Sequence, residues 1–576
     1  MANSIRIDRD IPMKTRDGVV LRADVYRPDD KDKHPAILIR SPYNKQLSGK
    51  SDYLSAVDAA FARYAFVVQD TRGRFTSEGD YMPGMPEGLD GYDTVEWIAS
   101  EPWCDGNVGM AGGSYLGRIQ WQTAMEAPPS LKAMAPHITT AGPLSETRMS
   151  GPLDFEQSVS WFALMAIDMI DKLEKQGKDI SKMREMIDRA RFNTDEVINY
   201  LPFKDVPHFN FEGVRQGFQP GRVDAILAAL KSEKDLYWSY DKVQVPCMHA
   251  AGWYDLFVGS LFNNFLSMRE KGGSKIAREG QYVLCGPWAH GANLLAFVGG
   301  LHFGPVARGV AAFVQERHLA FFDKYLRGID KDIPLVRYFV MGRDRWQNAD
   351  TWPLPQTDWQ RFYLHSKGRA NTASGNGVLS RNEPGSEPSD IFVYDPRFPV
   401  PTLGGRNLPT GRLVPGPFDQ TLNENRSDVL CYTTPELQED MEITGPLTLH
   451  LFASTSAKDT DFTAKLIDVY PHGAAYNVAE GCIRAKNRKS VLKPEPITPG
   501  EVYEFTIDMA HTSIVLHKGH RIRLDVSSSN FPRIDRNMNT GNAFGEDAQG
   551  VPAVQTIFHQ SEYPSYIDLP VIPGNK

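Results

Sequence analysis

Gly109-Met110-Ala111-Gly112-Gly113-Ser114-Tyr115-Leu116-Gly117 is the stretch that decides the fold. The apolar run Val108-Gly109-Met110-Ala111 passes into a glycine-rich turn. A helical pattern from Arg118 to Ala127 follows and is closed by Pro128-Pro129. Strand, sharp turn and helix in that order are the setting of a nucleophile elbow. Glycines flank the serine because a strained turn brings the backbone too close for side chains. The hydroxyl then stands at the carboxyl end of a sheet, near a helix N-terminus. The usual spacing is G-x-S-x-G, whereas here Leu116 is the second residue after Ser114 and glycine comes one later. As a bare pattern, the stretch competes with an ordinary glycine-rich strand–helix turn.

Working outward, Pro35-Ala36-Ile37-Leu38-Ile39-Arg40 and Tyr64-Ala65-Phe66-Val67-Val68 are also short, continuously apolar and bounded by turn residues. Such runs suit buried parallel strands. Tyr92 to Ser100 reads as an amphipathic helix with Val95 and Ile98 inward. The alternation predicts a doubly wound parallel sheet, an α/β-hydrolase fold whose first part covers residues 1–145. From 146 to 242 the character is helical, with apolar residues at helical spacing over Phe155 to Lys172 and further helices over Ser181 to Arg191 and Asp224 to Leu230. This predicts an inserted helical cap. Strand-like runs return at Val243 to Ala250 and Gln281 to Cys285, with a helix over Ala311 to Leu326, so residues 243–355 complete the hydrolase domain. Residues 356–576 carry short alternating runs, among them Leu447–Phe452, Phe462–Val469 and Arg521–Val526, with dense Pro and Gly. That predicts an all-β jelly roll.

A serine nucleophile needs a base, and the base an orienting acid. In this fold they follow the serine, acid first, each at a strand end. The run from Val243 ends in Gly252-Trp253-Tyr254-Asp255, and the next ends in Gly286-Pro287-Trp288-Ala289-His290. Asp255 could equally be the N-cap of the helical pattern Leu256 to Leu266, and His290 an ordinary loop histidine. Three candidates in the right order at strand ends argue for Ser114, Asp255 and His290 together. His137 precedes any candidate acid, His249 sits inside a strand, and His302 and His318 lack a strand-end setting.

The chain has 576 residues, 41% apolar and 23% charged, with a formal net charge of −8. That length predicts two or three domains. The charge argues against a nucleic-acid partner, which would call for a basic face. The five cysteines, Cys104, Cys247, Cys285, Cys431 and Cys482, lie far apart with no metal or redox spacing. They read as reduced thiols and predict a cytoplasmic protein. No window approaches the roughly 18 apolar residues of a membrane span, so no membrane partner is expected.

Ser41-Pro42-Tyr43, Asp70-Thr71-Arg72-Gly73-Arg74, the elbow, and the two strand ends carrying Asp255 and His290 form a set. It resembles the cocaine esterase-type (CocE/NonD) hydrolase family, which also holds glutaryl-7-aminocephalosporanate acylases, α-amino acid ester hydrolases and X-prolyl dipeptidyl aminopeptidases. The resemblance continues through Pro401-Thr402-Leu403-Gly404-Gly405 and Gly519 to Pro532 and so covers nearly the whole chain. It implies the same three regions. It also implies an oxyanion hole made by the Tyr43 hydroxyl and the backbone N–H of Tyr115; by position alone Tyr43 reads as a packed loop aromatic. Trp161 resembles a cap tryptophan lining the acyl pocket, and Phe257 another wall residue. Where the family's namesake has apolar residues after its Gly-Gly turn, this chain has Arg406-Asn407-Leu408, of which Leu408 is the expected pocket residue. Asp70 and Arg72 read as a structural ion pair.

The expected function is hydrolysis of small carboxylic esters through an acyl-enzyme, without metal or organic cofactor. A homodimer is implied by the resemblance alone. An amidase or aminopeptidase is the nearer rival. It would need carboxylates such as Asp154 and Glu156 to hold a substrate amine, although both read first as solvated helix-end charges. The rival from another class is a carbohydrate- or surface-binding protein with a vestigial hydrolase domain.

Overall fold

The structure is a computed structural model that describes residues 4–49, 53–81, 87–211, 227–291 and 293–574. The N-terminal hairpin of β1 (Ile5–Lys14) and β2 (Val20–Pro28) leads into β3 (His34–Ser41), β4 (Ala65–Asp70), β5 (Cys104–Gly113) and β6 (Leu131–His137). After a helical stretch come β7 (Cys247–Tyr254) and β8 (Gln281–Ala289), a short hairpin β9 (Phe297–Val298) and β10 (Leu301–His302), then β11 (Val336–Val340) and β12 (Arg345–Ala349). Apart from that short hairpin, the strands form one sheet ordered β1-β2-β4-β3-β5-β6-β7-β8-β11-β12. Neighbours from β4 to β11 run parallel, and the edges are antiparallel. Every residue of β3, β4, β7 and β8 is buried, which is why these runs are apolar without alternation. Helices α1 (Gly88–Ser100) and α2 (Tyr115–Met125) cover the sheet, and Val95 and Ile98 of α1 are fully buried.

Strand order fixes where the chemistry can gather. β3 and β5 are neighbours, so the loops that follow them emerge side by side, and β7 and β8 do the same one strand further on. Carboxyl ends of parallel strands are where such sheets build sites.

Between β6 and β7, α3 (Phe155–Lys175), α4 (Ser181–Phe192) and α5 (Thr194–Ile198) share a small core of Phe155, Val159, Ala166, Ile187, Ala190 and Val197. The described residues of this stretch contain no strand. Of the helix expected over 224–230, residues 224–226 lie outside the described residues. After β7 comes α6 (Val258–Lys271), and before β11 comes α7 (Val314–Leu326). Residues 358–572 form an eleven-stranded, largely antiparallel sheet that includes Met441–Thr455, Asp461–Val469 and Arg521–Ser527. No helix among the described residues is long and apolar enough to cross a membrane.

The β-rich region is tied to the other two by backbone bonds. The first amides of a helix have no intrahelical acceptor. In α3 the amides of Phe155 and Glu156 donate to the carbonyls of Arg533 and Pro532 at 2.8 and 3.0 Å. The Leu153 amide donates to Asp535 Oδ1 at 2.6 Å. The Pro532 and Arg533 carbonyls thus cap the helix, and the Asp535 carboxylate holds the residue just before it.

Glu146 joins all three regions. It opens the segment after β6, accepts a hydrogen bond from the Ser260 amide in the first turn of α6, and lies 3.7 Å from Arg406 Nη1 of the β-rich region. Gly259 permits the approach, since a Cβ there would sit 2.8 Å from Glu146 Oε2. Burial pushes the Glu146 carboxyl up to about 7, against the pull of Arg406 and the Ser260 N–H. A carboxyl whose pKa is raised by folding favours the folded state when protonated. That stability is complete below its unfolded pKa and is lost as pH rises toward 7. In melts from pH 5 to 8, Glu146→Gln, which cannot ionise, should gain stability relative to wild type as pH rises. A difference independent of pH would contradict this.

Candidate active site

Ser114 leaves β5 with φ 59° and ψ −122°, a backbone conformation that costs a non-glycine residue about 1–3 kcal/mol. Five hydrogen bonds hold it there. Its amide donates to the carbonyls of His137 and Ile138 at 3.0 and 3.1 Å, and its carbonyl accepts from Gly117 and Arg118, both at 3.0 Å. The Thr139 hydroxyl donates to the same carbonyl at 2.9 Å. The glycines have specific reasons. A Cβ at Gly112 would sit 2.7 Å from Leu116 Cβ, one at Gly113 2.9 Å from Ile138 Cγ1, and one at Gly117 2.8 Å from Thr139 Cβ. The departure from the usual spacing is thereby explained. Leu116 folds over Gly112, and the close approach to β6 falls on Gly117.

Asp255 follows β7 and is fully buried. Its Oδ2 lies 2.8 Å from His290 Nδ1, and its Oδ1 accepts the Phe257 amide at 2.7 Å. The helix-cap alternative is therefore partly met: the carboxylate serves the first turn before α6 with one oxygen and the histidine with the other. A carboxylate only accepts, so His290 Nδ1 carries the hydrogen, and in the neutral ring Nε2 is the nitrogen with the lone pair. Two tryptophans brace these strand ends. Trp253 Nε1 donates to the Phe339 carbonyl at 2.7 Å and Trp288 Nε1 to the Ala307 carbonyl at 2.6 Å. Gly252 lets the strands close, since a Cβ there would sit 2.1 Å from the Trp288 carbonyl oxygen.

Tyr43 follows β3. The Pro42 carbonyl before it accepts Arg74 Nε at 2.9 Å, and Arg74 Nη1 reaches the Met165 carbonyl of α3 at 2.9 Å. The Trp161 indole Nε1 donates to the Tyr43 hydroxyl oxygen at 2.9 Å. Indole N–H is a donor only, so the phenol accepts here and its own hydrogen remains to be donated elsewhere. Burial pushes the Tyr43 phenol up to about 12, which keeps that hydrogen in place at neutral pH. Trp161 also stacks on Tyr115, with ring centroids 6.1 Å apart. Tyr115 is the first residue of α2, so its backbone N–H has no intrahelical acceptor.

Ser114, Tyr43, Trp161 and Leu408 line both of two adjoining cavities, of about 220 and 540 Å³. Tyr115 and Phe257 belong to the smaller and His290 to the larger, and the Phe257 ring meets the His290 ring at 5.7 Å. Arg118, Asp154 and Gln157 are among the further residues that line the smaller cavity. Asp154 is one of the carboxylates weighed above as an amine ligand, and Arg118 has a signal in its i+4 spacing from Ser114.

Two expectations need correction. Asp70 and Arg72 do not pair. Asp70 is buried with Lys45 Nζ at 3.3 Å, while Arg72 reaches Asp90 at 2.6 Å and Asp17 at 2.9 Å. Asp154 and Glu156 are buried, not solvated. Glu156 is occupied by the hydroxyls of Ser160 and Thr410 at 2.7 and 2.9 Å, which removes it as an amine ligand.

A mostly parallel sheet presenting Ser, Asp and His after β5, β7 and β8 is the arrangement of an α/β-hydrolase. Residues 17–292 match the family described as X-Pro dipeptidyl-peptidase (S15 family), and residues 327–568 match the X-Pro dipeptidyl-peptidase C-terminal non-catalytic domain. Cocaine esterase of Rhodococcus sp. (strain MB1 Bresler) is 37% identical over 98% of this chain and 97% of its own. The chain belongs to the cocaine esterase-type (CocE/NonD) family of hydrolases. Among solved structures, an aminopeptidase from the marine sediment archaeon Thaumarchaeota archaeon shares the fold, with TM-score 0.76 and 23% identity over 99% of this chain and 96% of that one. So does an α-amino acid ester hydrolase, with TM-score 0.72 and 23% identity over 99% and 97%.

The free hydroxyl hydrogen of Tyr43 yields a direct expectation. If it meets charge developing on a substrate oxygen, Tyr43→Phe should lower kcat about 10²–10³-fold and move KM much less. Stability should fall only by the lost indole hydrogen bond, about 1 kcal/mol. Unchanged kcat with a lowered melting temperature would make Tyr43 a packing residue.

Proposed function

We propose that the chain is a serine esterase that hydrolyses small carboxylic esters, with Ser114, His290 and Asp255 as its triad. The observation that carries this is the 2.8 Å Asp255–His290 contact, which leaves Nε2 free as a base beside the cavity that Ser114 also lines. His290 Nε2 takes the Ser114 hydroxyl proton as the oxygen attacks the ester carbonyl. Tyr43 and the Tyr115 amide donate to the oxyanion, and His290 returns the proton to the leaving alcohol. Water then gives its proton to the same nitrogen and attacks the acyl-enzyme. The acid leaves and Ser114 recovers its hydrogen. The aromatic walls Trp161 and Phe257, with Leu408, suit an apolar or aromatic group. The name of the relative that is 37% identical over nearly the whole chain, an esterase, supports this choice over amides. Five free, buried cysteines support a cytoplasmic setting, and the antiparallel strands of 358–572 support a jelly roll.

A panel of aryl and alkyl esters beside the matching amides tests the reading. Esters should be turned over far faster than amides. Ser114→Ala should lose at least about 10⁴-fold in kcat, and Asp255→Asn about 10²–10⁴-fold, without unfolding. Wild-type turnover by Ser114→Ala would sink the proposal, and faster cleavage of amides would move it to the amidases.

A further inference from the structure

One guanidinium in the cavity, that of Arg118, has no acid at ion-pair distance among the described residues. Arg118 lies one turn beyond Ser114 on α2, about 6 Å along the axis, and side chains on a helix lean back toward its N-terminus. It lines the cavity of about 220 Å³ that holds Ser114, Trp161, Phe257 and Leu408. Its Nη1 donates to the Pro143 carbonyl at 3.3 Å, and its guanidinium carbon lies 5.9 Å from the Trp238 ring centroid. Its Nε is buried and makes no hydrogen bond among the described residues.

Arg118 is half-buried, whereas the buried arginines among the described residues are each matched by an acid, Arg406 by Glu146 as described above. Arg40 lies 3.1 Å from Glu87, Arg484 is 2.8 Å from Asp461 and 2.9 Å from Asp535, and Arg533 is 3.1 Å from Glu480. Arg523 pairs with Glu424, and Arg74 lies 3.6 Å from Asp168. Arg118 has no such partner among the described residues. Glu87, within electrostatic reach, is already engaged by Arg40 and by the Tyr115 hydroxyl. Desolvation lowers the Arg118 pKa against the pull of Tyr115, Tyr81 and Glu87, yet a guanidinium stays charged. A partly desolvated guanidinium with no acid against it is a partner for an anionic ligand.

We propose that Arg118 binds a carboxylate carried on the acyl group of the substrate, so that the enzyme acts on half-esters of dicarboxylic acids. The inference rests on the ester reading above. The acyl carbon sits at Ser114, an apolar spacer lies against Trp161, Phe257 and Leu408, and the far carboxylate meets the guanidinium fork. Hydrolysis consumes one water and releases the alcohol, the dicarboxylate and a proton. Asp154 enters the same cavity and is 5% exposed, with Oδ1 unpartnered. It comes from the N-terminus of α3, and Arg533 opposes its charge. Were Asp154 the recognition group instead, an acyl cation would be preferred.

Three esters of similar length separate these cases: 4-nitrophenyl hexanoate, mono-4-nitrophenyl adipate and 4-nitrophenyl 6-aminohexanoate. Wild type should favour the adipate ester over the hexanoate ester in kcat/KM. That ratio should fall about 10- to 100-fold in Arg118→Gln, the range for a charged hydrogen bond. Arg118→Lys, which keeps the charge and loses the fork, should fall between them. Calorimetric titration with adipate needs no turnover, and should show binding by wild type and none by Arg118→Gln. A ratio equal in wild type and both variants, a preference for the aminohexanoate ester, or no adipate binding by folded wild type would overturn the proposal. Adipate binding that depends on Arg118, with no ester cleaved, would uphold this site and count against the ester reading.

Discussion

The backbone of Ser114 is the constraint around which the site is built. A residue at φ 59° and ψ −122° cannot relax without breaking bonds from β6, from Thr139 and from the first turn of α2. Several donors and acceptors therefore over-determine one strained turn, which is the condition under which such strain persists. The consequence is geometric. The side chain is lifted off the sheet at the start of a helix, where the Tyr115 amide is unengaged by the helix, and Gly112, Gly113 and Gly117 keep the approach open.

The other groups are brought to that point by strand order and by buried indoles. β3 next to β5 sets Tyr43 beside Ser114, and β7 next to β8 sets Asp255 beside His290. Trp253 and Trp288 pin the latter two strand ends, and Trp161 pins Tyr43 from the helical layer. The β-rich region completes the enclosure: Pro532 and Arg533 cap α3, and Leu408 enters the cavity. The site is therefore a property of all three regions, although the Ser, Asp and His come from one sheet.

The sheet was legible in the sequence because its central strands are buried on both faces and so read as unbroken apolar runs. The elbow was legible because glycine is demanded at fixed positions. The start of β7 was not: Val243 to Val245 look like strand, but Pro246 has no N–H for the ladder, and the strand begins at Cys247. Partners distant in sequence were also invisible. The Trp161–Tyr43 bond spans 118 residues, and Asp70 chose Lys45 over its near neighbour Arg72 because burial and loop path, not spacing, decide which charges meet. That no acid among the described residues pairs with Arg118 is legible only from the structure.

The account turns on Ser114 being the group that the fold makes reactive. Treating the folded protein with a fluorophosphonate and mapping the adduct by peptide mass spectrometry tests that most directly. The account predicts one stoichiometric adduct, on Ser114, abolished when His290 is replaced by alanine. An adduct on another serine, or none on a well-folded protein, would contradict it.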